Sequence, residues 1–267
     1  MHMEKSSVIG IVLAFISIGV GMVLKGASLA ALLNPAAALI IFGGTASALF
    51  IAFSLEEMKK IPTLMKIIFT EQKLMPKKEL IETFIEWVSI TRREGLLSLE
   101  KQAEELSDPF MKSGMRLIID GNDADFVRDV LLEDIAEMET RHKKYAGIFT
   151  QAGTYAPTLG VLGAVVGLIA ALGNLSEVEK LGHLISAAFV ATMFGIFLGY
   201  VVFHPFANKL KQKSKKEVEI KLMVVEGLLS IQSGVSANSV KQKMMIFVAN
   251  SDRAAYEEAS PREAAPQ

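Results

Sequence analysis

The chain has 267 residues, 51% of them hydrophobic, with 28 basic and 29 acidic side chains and a formal net charge of -1. A mean hydropathy of +0.37 is too apolar for an ordinary water-soluble domain, and the balanced charge offers no basic excess for nucleic acid. The complete lack of cysteine removes disulfides, thiolate metal sites and a cysteine nucleophile together. Aromatic residues make up only 7% while glycine numbers 20, so the apolar content is aliphatic with small residues interleaved, a composition suited to close-packed membrane helices.

In chain order, residues 7–24 form the first stretch long enough to cross about 30 Å of hydrocarbon, which takes roughly 20 apolar residues. Only Lys5 precedes it and no small-residue cleavage site closes it, so it reads as a retained membrane helix and not a signal peptide. Residues 35–53, 155–173 and 181–203 supply three more such stretches, and none of the four contains Asp, Glu, Lys or Arg. The links joining the first pair and the last pair carry one lysine each, Lys25 and Lys180. The loop 54–145 is rich in Lys and Arg, and Lys209, Lys211, Lys213, Lys215 and Lys216 follow the last span. Basic residues collect on the cytoplasmic side of a bilayer. The sequence therefore predicts a multi-pass plasma-membrane protein with the large loop and both termini in the cytoplasm.

The large loop reads as a helical domain. Leu80, Ile81, Phe84, Ile85 and Val88 recur at three-to-four spacing, Asp108-Pro109 fits an N-cap and first-turn pair, and Asp123 is placed to cap a long helix running toward the third span. After the last span an amphipathic helix is expected from Ala207 until Gly234, then a short helix over 240–247, and a disordered tail from Asn250. The resulting division is 1–53 for the first two spans, 54–145 for the cytoplasmic domain, 146–206 for the last two spans, 207–249 for the C-terminal helices and 250–267 for the tail. The fold class is all-α, a polytopic membrane protein with four transmembrane helices and a helical cytoplasmic domain.

A protein that moves ions through hydrocarbon usually places an ionisable group at membrane depth, where it is costly. Here no span has a carboxylate, so an ion-conducting role requires the acid to come from a partner's helix. The remaining polar groups in or beside the spans are Thr45, Thr158, His183, Ser186, Thr192, Tyr200 and His204; for the hydroxyls the default role is helix packing, and the two histidines read as interfacial. Gly160, Gly163 and Gly167, with Ala164 among them, put small residues along one stripe of the third span, and Gly195 and Gly199 repeat a four-residue spacing in the fourth. Such stripes let backbones approach. Pro157 and Pro205 each remove a backbone bond near the cytoplasmic ends of these spans and permit a bend. In the loop, the run from Thr91 to Glu100 sets Arg92 and Glu100 on either side of a break at Gly95. Its charges suit a solvated face, or the steering of a charged partner.

The stretch Gly153-Thr154-Tyr155-Ala156-Pro157-Thr158-Leu159-Gly160 through Gly167, the stretch Ala191-Thr192 through Gly195, and His204-Pro205-Phe206-Ala207 continuing to Lys209-Leu210 resemble the MotA family of flagellar motor stator subunits in order and spacing. The resemblance covers nearly the whole chain, and the Bacillus-type proton-driven members look most similar. It implies five copies of the chain around two copies of a single-span partner, MotB, which brings the membrane aspartate and a peptidoglycan anchor, while the cytoplasmic domains push the rotor protein FliG. On the family pattern Pro157 and Pro205 link protonation to cytoplasmic movement, Thr192 faces the ion site with Tyr200 in the same pathway, and Arg92 and Glu100 engage the rotor. Sodium-driven relatives carry Thr where this chain has Ala164, and a methyl cannot coordinate sodium, which favours protons.

No enzyme activity, cofactor or metal is expected, since His2, His142, His183 and His204 are scattered and no nucleophile and base stand together. The alternatives are a sodium-coupled stator or an energy-transducing subunit of the ExbB and TolQ kind, which has three spans instead of four. A solute transporter would show an inverted repeat or charges inside its spans.

Overall fold

In hydrocarbon every backbone polar group must be satisfied within its own segment, and uninterrupted apolar runs answer that demand as helices. The computed structural model describes residues 3–253 and Tyr256. Four of its helices are long and apolar enough to cross a membrane: Lys5–Leu24, Leu29–Ala52, Ala124–Leu172 and Val178–Gln232, here called the first to fourth span helices. Among the described residues there is no strand, only one isolated antiparallel bridge between Met3 and Thr70.

The third and fourth span helices have 49 and 55 residues. At 1.5 Å per residue they measure about 74 and 82 Å, more than twice the hydrocarbon thickness. Asp123 accepts from the Phe126 N–H at 2.9 Å and starts the third without interruption. The fourth differs from the sequence expectation of a separate helix after the span. It passes through a wide π-helical turn, Leu198–Phe203, and continues directly as His204–Gln232. A proline inside a helix loses its N–H and clashes with the carbonyl four residues back. The wider turn just before Pro205 makes room for that ring, so the helix continues without ending.

The described residues group into two compact units. One comprises those up to Gln72 together with Arg141–Lys213; the other comprises Lys73–Thr140 with those from Ser214 onward. The second unit is a bundle of Lys77–Glu94, Pro109–Ile119, the start of the third span helix, the end of the fourth and Ala237–Met245. Leu80, Phe84, Trp87 and Val88 are buried along one face of the first of these, with Phe84 and Trp87 edge to face at 5.2 Å. A Cβ on Gly227 would stand 2.6 Å from the Phe84 ring, so glycine is what lets the last long helix lie against that aromatic pair. Asp108 caps Pro109–Ile119 by accepting from the Phe110 and Met111 N–H groups, and Lys77 pairs with Glu219 at 2.6 Å. Gly95 and Gly234, at φ 82° and 64°, end their helices in the left-handed region that favours glycine. Of the tail expected from Asn250 onward, residues 254–255 and 257–267 lie outside the described residues.

In the first unit the helix Ile61–Phe69, which on sequence reads as part of the loop, packs with the spans through Leu64 and Ile68. Its C-terminal carbonyls are met by one ammonium. Lys213, whose side chain is 8% exposed, donates to the Ile67 carbonyl at 2.7 Å and to that of Thr70. Glu4 completes the clasp. Its backbone N–H donates to the Phe69 carbonyl at 2.9 Å, and its carboxylate pairs with Lys209 at 3.0 Å and Lys213 at 3.4 Å. A buried lysine is tolerated when paired and hydrogen-bonded, and this one also complements a helix C-terminus.

The Lys209 hydrogen bond, with smaller help from Ser6 and Lys213 against the opposing effect of burial, lowers the Glu4 pKa from 4.5 to about 2. The unfolded chain therefore binds a proton at higher pH than the folded one, so the clasp's stabilisation is complete above about pH 4.5 and is lost as pH falls toward 2. Glu4→Gln is expected to destabilise the detergent-purified protein at pH 7 by roughly 1 kcal/mol, a value kept small because the pair is partly solvated. The gap in melting temperature between variant and parent should narrow as pH falls below 4.5. Equal melting temperatures at pH 7 would remove the clasp from the account.

Candidate ion-pathway seam

The third and fourth span helices meet along their glycines. An ideal Cβ on Gly195 would lie 2.6 Å from the Ala156 carbonyl oxygen and 2.8 Å from the Gly160 Cα, and one on Gly160 would lie 2.9 Å from the Ala191 oxygen. Further along, Gly163 faces the Ala191 methyl and Gly167 the Ala188 methyl. Both backbones are therefore in contact over several turns, which no larger residue would allow. The second span helix is locked against this pair. Leu159 covers Gly44, and Asn34 caps its own helix through Ala37 N–H while its Nδ2 donates to the Ala187 carbonyl at 3.3 Å. At the other end Glu57 pairs with Lys144 at 2.6 Å and accepts from the Ser54 N–H and hydroxyl.

Pro157 lies inside the third span helix, so the Gly153 carbonyl four residues back has no backbone donor from it. Gly199 fits into this gap. A Cβ there would stand 2.6 Å from Pro157 Cγ and 2.7 Å from the Gly153 oxygen, so the glycine hydrogen in that place points at the freed carbonyl. One turn on, the His204 ring fills the notch left by Gly153, where a Cβ would come within 2.8 Å of it. The Tyr200 ring lies 5.4 Å from that of His204. Pro157, the π-helical turn and these two rings thus share one end of the seam.

Of the sequence-derived residues, Pro157, Ala164, Thr192, Tyr200 and Pro205 all belong to the third and fourth span helices of the first unit. Ala164 is half-buried beside Gly163, and Thr192 is half-buried with its hydroxyl donating to the Ala188 carbonyl at 3.4 Å. Tyr200 and Pro205 are exposed on the single chain. Thr154 and Thr158 likewise donate one turn back along their own helix, whereas the buried Thr45 hydroxyl in the second span helix has no partner. Arg92 and Glu100 are in the second unit, both exposed, on either side of Gly95 and the turn Leu96–Leu99, which Leu99 anchors in the core. Among the described residues no group of three or more His, Cys, Asp or Glu is placed to hold a metal ion.

Family models agree with this arrangement: residues 102–223 match the MotA/TolQ/ExbB proton channel family and residues 8–95 match the motility protein A N-terminal family. The chain belongs to the MotA/TolQ/ExbB proton channel family. It is 54% identical to motility protein A of Bacillus subtilis (strain 168) over 256 residues, covering 96% of this chain and 95% of that relative. Its fold is similar to a chain in the structure of the flagellar MotAB stator complex from Bacillus subtilis, with a TM-score of 0.91, 53% identity and coverage of 96% and 100%. A chain of the C. jejuni MotAB structure gives 0.87 at 29% identity, covering 98% and 99%. Within the MotA/TolQ/ExbB family frame, the features that sequence reasoning missed are the π-helical turn, the Gly153 notch and the Gly199 contact with the freed carbonyl. The four-residue spacing of Gly195 and Gly199 and the i−4 relation of Gly153 to Pro157 are the signals that lead to the last two.

Because the Gly195 Cβ position is occupied by backbone and not by a movable side chain, Gly195→Val is expected to destabilise the protein by about 3 kcal/mol or more, at or beyond the usual range for overpacking. Gly10→Val, in a first span helix with nothing within 4 Å of that position, should be close to neutral. Thermal unfolding of both variants in one detergent checks the contrast, and similar losses would contradict the backbone seam.

Proposed function

We propose that the chain is a proton-driven stator subunit of the flagellar motor, which conducts protons with a MotB-type partner and turns that flow into motion of the rotor. The observation that carries this reading is the pairing of a tight, proline-containing seam with spans that have no carboxylate of their own. Such a wall needs a partner's acid, and the relatives found in complex with a MotB chain are the ones this fold matches. Five copies around two partner helices would enclose that acid. The exposed apolar faces, such as Val161, Val165, Ile169 and Phe189, would then be covered by neighbouring copies or lipid.

In this account the pathway runs past Ala164, Thr192 and Tyr200, with Pro157 and Pro205 as the points of bending. The third and fourth span helices each contribute residues to both compact units, so a bend at the prolines has an unbroken helix through which to act. Arg92 and Glu100, exposed and of opposite charge, orient the rotor protein FliG, where charges set register more than affinity. The large loop and the termini face the cytoplasm, and the assembly sits in the plasma membrane. A charge crossing the membrane yields about 2.3 kcal/mol per 100 mV, enough to drive a step when transfer and bending are coupled. Ala164 supports protons over sodium because its methyl cannot replace water around a dehydrated cation.

In a strain lacking its own stator subunits, this chain expressed with a MotB-type partner is expected to restore swimming. Speed should survive removal of sodium at fixed proton-motive force and fail when an uncoupler collapses the proton gradient at high sodium. No swimming with an assembled complex would overturn the stator reading, and speed that follows external sodium would overturn the ion.

A further inference from the structure

His204 stands at the end of the seam where the π-helical turn and Pro205 lie. Its ring fills the Gly153 notch, beside the carbonyl that Pro157 frees, and immediately precedes Pro205 at the exit of the π-helical turn. It is half-buried, with the 64% exposed Tyr200 ring 5.4 Å away on the side toward the span. The third-span and fourth-span stretches 155–173 and 181–203 contain no Asp, Glu, Lys or Arg, so His204 is the first side chain able to take up a proton met on leaving the seam at this end.

We propose that His204 is a proton-transfer residue at the inner end of the seam, taking each proton that leaves the pathway and passing it to cytoplasmic water. This rests on the proton-driven reading above and adds a titratable group of the chain's own to the acid expected from the partner. The neutral imidazole accepts a proton on one ring nitrogen, becomes imidazolium, and gives a proton to water, so the ring returns to neutral and one proton has moved. The nearest lysines on both helices are paired with other groups. On its own helix the other groups are the neutral Tyr200 and Lys209, and Lys209 is neutralised by Glu4 at 3.0 Å. On the third span helix Gly153 is followed by the neutral Thr154 and Tyr155, and Lys144, more than two turns earlier, is paired with Glu57 at 2.6 Å. From the first span helix, Ser6 and Ser7 line the same small cavity as Pro205.

The location also explains why a proton should matter to movement. Charging a ring wedged against Gly153 changes the electrostatics where Pro157 and the π-helical turn come together, so proton release acts on the residues at which bending is proposed.

The test uses the chain and its partner in a strain lacking its own stator subunits, with swimming speed followed as a permeant weak acid lowers internal pH from about 8 to about 6. With the proton-motive force held fixed by matching external pH, speed of the unaltered chain is expected to fall as internal pH falls, since protonated His204 cannot accept. His204→Gln, which keeps a polar side chain of similar size, should assemble with the partner but lower speed roughly tenfold or more, as expected for loss of a proton-transfer group. In His204→Ala, added imidazole should restore a substantial part of the lost speed. A purely structural ring predicts no rescue. His204→Gln with unaltered speed and pH profile, or slow variants that imidazole does not rescue, would overturn the proposal. If neither variant assembles, the unaltered chain decides with the proton-motive force held fixed by matching external pH: a flat profile between about pH 6 and about 8 overturns it and a fall toward about pH 6 supports it. Failure of the unaltered chain to restore swimming would instead fall on the stator reading.

Discussion

Backbone contact between the third and fourth span helices governs the rest of this molecule. Between apolar helices in lipid there is no hydrophobic gain from association, so packing has to come from close approach and from backbone polar groups that find partners. Gly160 against Gly195 brings the two chains together, and this contact in turn decides what can stand at the bend. With the helices so close, Pro157 needs a neighbour without a side chain, which Gly199 provides. The carbonyl freed by Pro157 meets a Cα hydrogen and not bulk lipid, so the proline costs less than it would on an isolated helix. The π-helical turn answers the same problem at Pro205 by widening the helix.

Rigidity on one side of the bend is matched by anchoring on the other. Lys213, eight residues beyond Pro205, is held by carbonyls at the end of Ile61–Phe69 and by Glu4. The fourth span helix is thus pinned by glycine contacts before the bend and by an ion-paired clasp after it, with Tyr200, His204 and Pro205 between the two. A π-helical turn and a proline bounded by fixed contacts on both sides are the arrangement expected of a hinge.

Much of this was legible in the sequence because the bilayer simplifies the code. Runs such as 7–24 and 181–203 have no charge, and a helix is the only economical answer to such a run in hydrocarbon. The caps at Asp108 and Asp123 and the stops at Gly95 and Gly234 follow from local backbone chemistry. The glycine stripes indicate close approach, though spacing alone does not say which stripe meets which. The π-helical turn has no residue signature, since any apolar side chain tolerates it; only Pro205 hints that the helix must widen. The Glu4 clasp was not visible at all. Lys209 and Lys213 sit in a basic run that reads as a solvated cytoplasmic face, and their partner lies some two hundred residues away at the start of the chain. Arg92 and Glu100 show the opposite limit, because exposure on either side of a glycine break fits a partner surface and a solvated one equally well.

The central claim is that this chain forms the wall of a proton pathway whose acid belongs to another helix. Proton uptake into potential-driven vesicles containing this chain alone, the MotB-type partner alone, or both together tests it most directly. Uptake is predicted only when both are present and to disappear when the partner's membrane carboxylate is neutralised, with the chain alone as tight as empty vesicles. Robust uptake by this chain alone would contradict the account, because it would mean that the described spans carry protons without an acid from outside.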